Sequence, residues 1–308
     1  MARAAQAVTT NRRRVLTGGA GLALGAAAPM PSKSRLILLG TAGGPTPKLN
    51  RAAPANAIVV GDELYVIDCG AGVARQMVLA GLKLRALRRI FITHHHSDHN
   101  ADFGTLPLLA WASGLERPID LYGPPPLAQM TQQFEAMSRV DTETREVDEG
   151  RRPFAGMMRP HEVEHAGIVF VDGPVRVTAT LVDHPLIKTA LAYRFDCPDR
   201  SIVFSGDTTQ SPNLVALAKG ADVLVHEVMY LPGVETLVAD EPKLRRHLLD
   251  SHSTCEQVGR AATAAGVKTL VLTHFVPGGS PIPEDTWRAA VSPYFKGEII
   301  VGRDLLEL

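Results

Sequence analysis

Residues 92–100 read ITHHHSDHN and place four of the chain's 11 histidines, together with an aspartate, in nine positions. Histidines at i and i+2, a carboxylate at i+4 and a further histidine at i+5 do not share one face of a helix. The segment continues an apolar run, residues 89–93, that predicts a buried strand. The spacing therefore indicates a loop at the carboxyl end of a strand, and its side chains indicate a metal site.

The order of the side chains in this loop predicts two metal positions. His94 and His96 leave the strand towards one side. Asp98 and His99 open the following helix and point to the other side. A pair of neighbouring metals uses both sides of such a loop, whereas a single metal would leave one side without a function.

Apolar, β-rich runs alternate with helical stretches along the chain, which predicts an α/β fold. The predicted strands are residues 36–39, 57–60, 64–67, 89–93, 119–122, 168–171, 175–182, 190–195, 201–205, 223–226, 269–273 and 298–301. The predicted helices are residues 73–82, 101–113, 126–137, 213–219, 253–265 and 283–290. A polar region near residues 141–166 shows little periodicity and predicts an inserted loop over one face.

A second histidine motif lies in that polar region. Residues 161–165, HEVEH, match the HExxH pattern of zinc proteases, which requires both histidines on one helical face. Pro160 stands directly before the motif, and Gly167 with a predicted strand follows it. A helix long enough to hold a metal is therefore not expected, and we interpret the segment as a polar rim of the substrate mouth.

The first 30 residues resemble a twin-arginine export signal. Residues 11–16 read NRRRVL, a weakly apolar stretch spans residues 18–28, and the small residues 26–28 offer a cleavage site. The stretch is too short to span a bilayer. We therefore expect a signal peptide over residues 1–30, a domain over residues 31–308, a periplasmic or secreted location, and no membrane association after export. The alternative is a basic leader without a targeting role.

Charge argues against a nucleic-acid partner. The chain has 32 basic and 32 acidic residues, and removal of the first 30 residues would take away four arginines. The remaining 28 basic and 32 acidic residues give a net charge of −4, which provides no bulk attraction to a phosphate polymer. We therefore expect a small-molecule substrate and no nucleic acid.

The HxHxDH box in this strand–helix context resembles the metallo-β-lactamase superfamily over about residues 35–308. Residues 38–47, LLGTAGGPTP, resemble the first-strand loop of the branch that contains ribonuclease Z and arylsulfatase-like hydrolases. The resemblance implies a four-layer αββα sandwich in which two mixed β-sheets are flanked by helices. It also implies a homodimer, since dimers are usual in this branch.

The resemblance supplies the remaining ligands. His184 in LVDHP resembles the third histidine of the first site, Asp207 in FSGDTT the bridging carboxylate, and His274 in LTHFVP the last histidine of the second site. Asp68 in IDCGAG resembles an aspartate that orients a ligand from behind. The first metal would have His94, His96 and His184, the second Asp98, His99 and His274, and Asp207 would join them. This donor set favours two zinc ions, with manganese or iron as alternatives.

The expected reaction is hydrolysis by a hydroxide that two metals share. Asp98 or Asp207 would orient the hydroxide or accept its proton. Glu227 in VHEVMY and His252 in SHST resemble the branch's glutamate–histidine pair. Because a carboxylate raises the pKa of a neighbouring imidazole, His252 would protonate the leaving group. The alternative is a buried pair that only holds a loop.

The length of one connection decides the substrate expectation. In the ribonuclease Z branch, a long arm that grips tRNA lies between the third histidine and the bridging aspartate. Here His184 and Asp207 are 23 positions apart, enough for a hairpin only. We therefore expect a small phosphodiester, phosphotriester or aryl sulfate, with a lactone, carboxylic ester or β-lactam as the alternative. Transfer-RNA 3′ processing and non-catalytic metal binding rank lower.

Overall fold

Two seven-stranded β-sheets form the framework of this computed structural model, which describes residues 33–173, 175–279 and 281–308. The strands are β1 (Arg35–Gly40), β2 (Ala55–Val60), β3 (Glu63–Ile67), β4 (Leu87–Phe91), β5 (Ile119–Gly123), β6 (Met158–Glu162), β7 (Gly167–Asp172), β8 (Val175–Val182), β9 (Ala190–Asp196), β10 (Ser201–Phe204), β11 (Val223–Met229), β12 (Thr269–Val276), β13 (Glu298–Val301) and β14 (Leu306–Glu307). The helices are α1 (Val73–Leu79), α2 (Ser97–Asn100), α3 (Thr105–Ala112), α4 (Leu127–Asp148), α5 (Pro212–Leu217), α6 (Leu231–Leu237), α7 (Pro242–Ser251), α8 (Cys255–Ala265) and α9 (Glu284–Val291). No helix in the described ranges combines the length and the hydropathy that a bilayer crossing needs. The predicted signal peptide lies outside the described residues.

The two sheets pack face to face. Their strand orders are β14-β1-β2-β3-β4-β5-β6 and β13-β12-β11-β10-β9-β8-β7, and each contains parallel and antiparallel pairs. Tyr65 and Phe91 of the first sheet share one buried cluster with Leu191 and Phe195 of the second. Separate apolar clusters join the outer faces to α1 and α3 on one side and to α8 and α9 on the other. The predicted four-layer αββα sandwich is confirmed.

Aromatic side chains anchor the end of β4 in the core between the sheets. Phe91 stacks on Tyr122 at a centroid distance of 4.9 Å and meets the rings of Tyr193 and Phe195 edge-on at 5.5 and 5.0 Å. The Tyr193 hydroxyl donates to the carbonyl of Ile92 at 2.9 Å. These contacts fix the backbone directly before the loop that carries the histidines.

The second sheet brings further candidate residues to one edge. β10, β11 and β12 are parallel neighbours, and β8 has the same direction because β9 is antiparallel to both β8 and β10. The carboxyl ends of parallel strands meet at the same edge of a sheet. His184 follows β8, Asp207 follows β10, Glu227 lies near the end of β11 and His274 near the end of β12.

The structure corrects the prediction of an inserted loop near residues 141–166. Residues 141–148 are the last turns of α4, and residues 158–162 form β6. Arg145 pairs with Asp141 at 2.9 Å and with Glu149 at 2.7 Å, four residues away on either side. Such pairs stabilise a helix that is polar all round, which apolar periodicity does not reveal. β14, α6 and α7 are further elements that the sequence pattern did not predict.

The HEVEH segment is not helical, as expected. His161 lies in β6, where Nε2 is 2.9 Å from Asp120 Oδ1 and the ring stacks on Tyr122 at 4.6 Å. These partners lie on the neighbouring strand β5. The motif therefore belongs to the sheet.

We expect Phe91→Ala to lower the free energy of unfolding by about 3–5 kcal/mol, because the ring is fully buried and the cavity cannot collapse between two sheets. Urea denaturation followed by circular dichroism measures the change. Val140→Ala on α4, where the side chain is 81% exposed, is the control and should stay within about 0.5 kcal/mol of the wild type. Equal effects of the two substitutions would show that Phe91 does not anchor the core.

Candidate metal centre

The loop after β4 and the short helix α2 carry the four residues of the HxHxDH box that the sequence selected. His94 and His96 lie in the loop, and α2 begins at Ser97, so that Asp98 and His99 open a helix as predicted. His94, Asp98 and His99 are buried, whereas His96 is partly exposed. The backbone of the loop thus presents two pairs of side chains in two directions.

Three histidine nitrogens converge in a first group. His96 Nδ1 lies 3.1 Å from His94 Nε2 and 3.0 Å from His184 Nε2. A tetrahedral zinc with bonds of about 2.0–2.1 Å holds its nitrogen ligands about 3.3 Å apart. His184 Nδ1 donates to the Ser251 carbonyl at 3.0 Å, and His94 Nδ1 lies 3.1 Å from Thr93 Oγ1. The Nε2 atoms of both rings therefore point into the group.

Asp98, His99 and His274 form a second group. Asp98 Oδ2 lies 3.6 Å from His99 Nε2 and 3.3 Å from His274 Nε2. His274 has a φ of +43°, next to a register shift between β11 and β12. A left-handed residue other than glycine costs about 1–3 kcal/mol and persists only where its surroundings impose it. Packing at the end of β12 therefore holds this ring in place.

Asp207 lies between the two groups. It follows Gly206, whose φ of +59° favours glycine in the turn after β10. Asp207 Oδ1 is 3.3 Å from His99 Nε2, and Oδ2 is 3.2 Å from His274 Nε2 and 3.9 Å from His94 Nε2. One carboxylate thereby contacts both groups, which is the place of a bridging ligand.

The residues fit metal ions. His99 Nε2 and Asp207 Oδ1 are buried and have no hydrogen-bond partner among the described residues. Such an atom costs about 1–3 kcal/mol, and a cation between the two would remove that cost. Imidazole and carboxylate donors suit divalent metals. Three groups have ligand atoms within 4.8 Å of one another. Two of them contain the predicted ligands: His94, His96, His184 and Asp207, and Asp98, His99, Asp207 and His274. The third is Asp207, Glu227, His252 and His274.

Asp68 fixes the orientation of His99 from behind. Its Oδ2 accepts from His99 Nδ1 at 2.8 Å and from Thr93 Oγ1 at 3.0 Å, and its Oδ1 accepts from the Thr93 amide at 2.8 Å. The proton on Nδ1 leaves the lone pair of Nε2 directed at the cluster. Asp68 itself has a φ of +61°, a further strained backbone position at this edge.

Burial and charge set the ionisation of the cluster. Burial lowers the pKa of His184 to about 4 and that of His94 well below its usual value, so both rings are neutral near pH 7. Burial raises the pKa of Asp207, but the positive charges of His274 and His99 outweigh it and hold that pKa well below its usual value. Burial also lowers the pKa of His99, whereas the adjacent carboxylates raise it well above normal. A cation here must therefore displace a proton.

Glu227 and His252 form a buried pair beside Asp207. His252 Nδ1 donates to Glu227 Oε2 at 2.8 Å and lies 3.8 Å from Asp207 Oδ2. Glu227 Oε1 accepts from the amides of Thr208 at 2.8 Å and Ser253 at 3.3 Å. Burial lowers the pKa of His252, but the charge of Glu227 and its hydrogen bond raise it to about 9. The ring is therefore an imidazolium near neutral pH.

The loop after β1 reaches the cluster through two glycines to which the sequence argument gave no role of their own. The Gly44 amide donates to Asp98 Oδ2 at 3.1 Å, and the Gly43 amide donates to the Phe275 carbonyl at 3.1 Å. A Cβ at Gly43 would lie 2.6 Å from that carbonyl oxygen, so this approach requires glycine. The two consecutive glycines were the sequence signal from which this close approach could have been predicted.

His247 also lies near the cluster, although the sequence analysis assigned it no role. It lines a cavity of about 250 Å³ over the cluster, and its ring centroid is 6.2 Å from those of both His96 and His252. Leu244 and Leu248 on the same helix, α7, line this cavity too. One face of α7 thus forms a wall of this cavity. The sequence pattern did not predict α7, so it could not predict the position of His247.

The sequence matches the family model described as "Beta-lactamase superfamily domain" over residues 64–275, more than half of the chain. The chain belongs to the metallo-β-lactamase superfamily. It is 34% identical over 278 residues to Ribonuclease Z of Mycolicibacterium gilvum (strain PYR-GCK), an alignment that covers 88% of this chain and 94% of the relative. The superfamily and the histidine–aspartate clusters assign the chain to the metal-dependent hydrolases.

Two solved structures share the metallo-β-lactamase fold with this chain. The metallo-beta-lactamase fold protein YhfI from Bacillus subtilis has a TM-score of 0.69 and 20% identity, and the match covers 89% of this chain and 98% of YhfI. Human tRNase Z, short form, has a TM-score of 0.64 and 22% identity, with coverage of 89% and 98%. At these identities the likeness shows the fold alone.

The comparisons contradict three predictions. A small-molecule ester as the substrate and the exclusion of nucleic acid are wrong, because the relatives are named Ribonuclease Z, after an RNA substrate. The periplasmic or secreted location is contradicted by the same relatives, and residues 1–30, on which it rested, lie outside the described residues.

The short connection between His184 and Asp207 explains the error about the substrate. The connection is a hairpin of β9 and β10, as expected. However, the alignment with the M. gilvum protein has 278 positions and contains 88% of the 308 residues of this chain. The number of positions exceeds the number of aligned residues by only a few, so the aligned part of the relative has no long segment that this chain lacks. A protein named Ribonuclease Z therefore also lacks a long arm here, and the short connection in this chain does not exclude ribonuclease activity.

We expect Asp68→Asn to weaken metal binding about 10- to 100-fold, because the amide removes the negative partner of His99 while keeping its shape. Competition with a chromogenic chelator measures the dissociation constant, and circular dichroism checks the fold. Asp120→Asn, which alters the aspartate–histidine pair with His161 on β5 and β6, is the matched control and should leave the affinity unchanged. Unchanged affinity in Asp68→Asn would show that this carboxylate does not tune the cluster.

Proposed function

We propose that this chain is an endoribonuclease of the ribonuclease Z type, which hydrolyses a phosphodiester bond at the 3′ side of a precursor tRNA. The observation that carries the proposal is the alignment at 31–34% identity over 88% of the chain with relatives named Ribonuclease Z. The geometry supports it, since a candidate metal cluster lies beside a hydrogen-bonded glutamate–histidine pair. Both contribute to the cleavage of an unactivated phosphodiester, because metals offset the charge on the phosphate and an acid protonates the leaving oxygen.

Two divalent cations, zinc by the nature of the donors, would be held by the two clusters. When bound, such cations would lower the pKa of water and offset the negative charge that develops on the phosphate. The ligands would be His94, His96 and His184 for one cation, Asp98, His99 and His274 for the other, and Asp207 for both. Asp98, whose Oδ2 accepts a hydrogen bond from the Gly44 amide, and Asp207 would orient the attacking water or accept its proton.

His252 would supply the proton of the leaving group. Hydrolysis breaks the bond between phosphorus and the ribose 3′ oxygen, which is too basic to leave as an anion near pH 7. The Nδ1 proton of His252 stays on the ring and is hydrogen-bonded to Glu227, so the Nε2 proton would go to the leaving oxygen. The tRNA then ends in a 3′ hydroxyl, and the trailer carries the 5′ phosphate.

The activity test is a precursor tRNA with a labelled 3′ trailer. We expect the zinc-loaded chain to release the trailer at one position, to stop after treatment with a chelator, and to recover when zinc is restored. Asp207→Ala should lose metal from at least one site and nearly all turnover. A metal-loaded wild type that leaves the precursor intact would refute the proposed function.

We expect His252→Ala to retain its metal and to cleave RNA about 10²- to 10⁴-fold more slowly, because the 3′ oxygen then leaves without a proton. A 4-nitrophenyl phosphodiester, whose leaving group is a stable anion, should slow far less. In the wild type, RNA cleavage should fall as pH rises through about 9, where His252 loses its proton. An equal loss on both substrates would remove the proton-donor role.

A further inference from the structure

An apolar cavity of about 550 Å³ lies next to the candidate metal centre, and we call it the mouth groove. Parts of α6 and α7, the loop after β1 and the end of β12 form it, with apolar walls from Pro45, Leu237, Leu244, Leu248, Val276 and Pro277. Among the described residues, no carboxylate lines this groove. It therefore suits an uncharged group with apolar faces.

The mouth groove opens into the cavity over the cluster. Both spaces are lined by Gly44, Pro45, Leu244, Leu248 and His252. A substrate with its phosphorus at the cluster must place the neighbouring groups on either side of that phosphorus. Because His252 lines both spaces, the groove starts at the residue proposed to protonate the leaving oxygen.

Two leucines of the mouth groove are exposed although they lie beside the candidate centre. Leu237 is 59% exposed and Leu244 38%. A single exposed leucine is ordinary, but these two stand on successive helices and face one cavity. Val234 of α6 and Val238 directly after it form a small core with Met229 and Val276, against which Leu248 of α7 packs. The two exposed leucines are not needed for that core and remain available to a ligand.

We propose that the mouth groove binds the nucleobase of a nucleotide that flanks the scissile phosphate. The inference rests on the proposed function, which makes RNA the substrate. A nucleobase is uncharged and buries apolar faces, whereas the sugar–phosphate backbone would meet no partner on an apolar wall. Lys48 also lines the groove, with its Nζ bonded to Thr46 Oγ1, and provides positive charge for an adjoining phosphate.

The test truncates two apolar side chains of the groove in the protein and, separately, removes one base from the RNA. The variant combines Leu237→Ala and Leu244→Ala, two residues that are neither proposed ligands nor members of the Glu227–His252 pair. The substrates are a precursor tRNA and two copies of it, each lacking the base on one side of the cleavage site. We expect the variant to lose at least about fivefold in kcat/KM on the complete precursor. On one abasic precursor, it should match the wild type.

Binding gives a second readout that needs no turnover. Fluorescence anisotropy measures the Kd of the two product ends, the 3′-hydroxyl tRNA end and the 5′-phosphate trailer, on metal-loaded protein. We expect the variant to weaken one product about as much as it lowers kcat/KM. Removal of that product's terminal base should abolish the difference between variant and wild type.

The matched control is Leu109→Ala on α3, where the leucine is 41% exposed and lies outside the groove. It should change neither readout, and all variants should keep the wild-type metal content and Tm. Equal losses by the groove variant on the complete and both abasic precursors would overturn the groove assignment alone. Failure of the wild type to cleave any of the precursors would overturn the proposed function instead.

Discussion

The buried carboxylate of Asp207 is the interaction on which the candidate centre depends. It contacts imidazoles from both ligand groups and lies 3.8 Å from His252, so it links the metal positions to the proton donor. A buried charge is tolerated only where opposite charge and hydrogen bonds surround it. The fold must therefore bring the ends of β3, β4, β10 and β12 close together. Asp68 after β3, Gly206 after β10 and His274 in β12 have positive φ angles at these ends.

The two sheets meet that demand in different ways. In the first sheet, the aromatic contacts of Phe91 and the hydrogen bond from Tyr193 fix the strand end before the HxHxDH loop. In the second sheet, parallel neighbours deliver their residues to the same edge by topology alone. Asp68 then ties the first arrangement to the cluster, because one carboxylate holds both Thr93 and His99. The ends of the strands thus position the side chains of the site, and these side chains need little conformational change to converge.

Much of this could be predicted from the sequence, because local spacing encodes it. The HxHxDH box sets its own loop, and the structure brings its residues together with the residues that the family resemblance added. α6 and α7 were missed although each has a proline in its first turn, a position that favours a helix start, because seven and ten residues give an apolar pattern few turns in which to recur. The polar end of α4 was missed because ion pairs four residues apart, and not an apolar stripe, stabilise it. These elements bury few apolar side chains, so core packing constrains their sequences least.

The wrong prediction about nucleic acid also has a physical origin, because a sum over the whole chain does not describe the local charge at the site. The net charge of −4 that was expected for residues 31–308 is a sum over the whole surface, including the parts that a bound RNA would not touch. Two divalent cations would add four positive charges at the one place where a phosphate must bind, and the residue count does not contain them. The mouth groove is likewise free of carboxylates among the described residues, whatever the sum over the chain. Under the proposed function, recognition of a polyanion would depend on the local charge at the strand ends, and the mouth groove would hold the base that accompanies the phosphate.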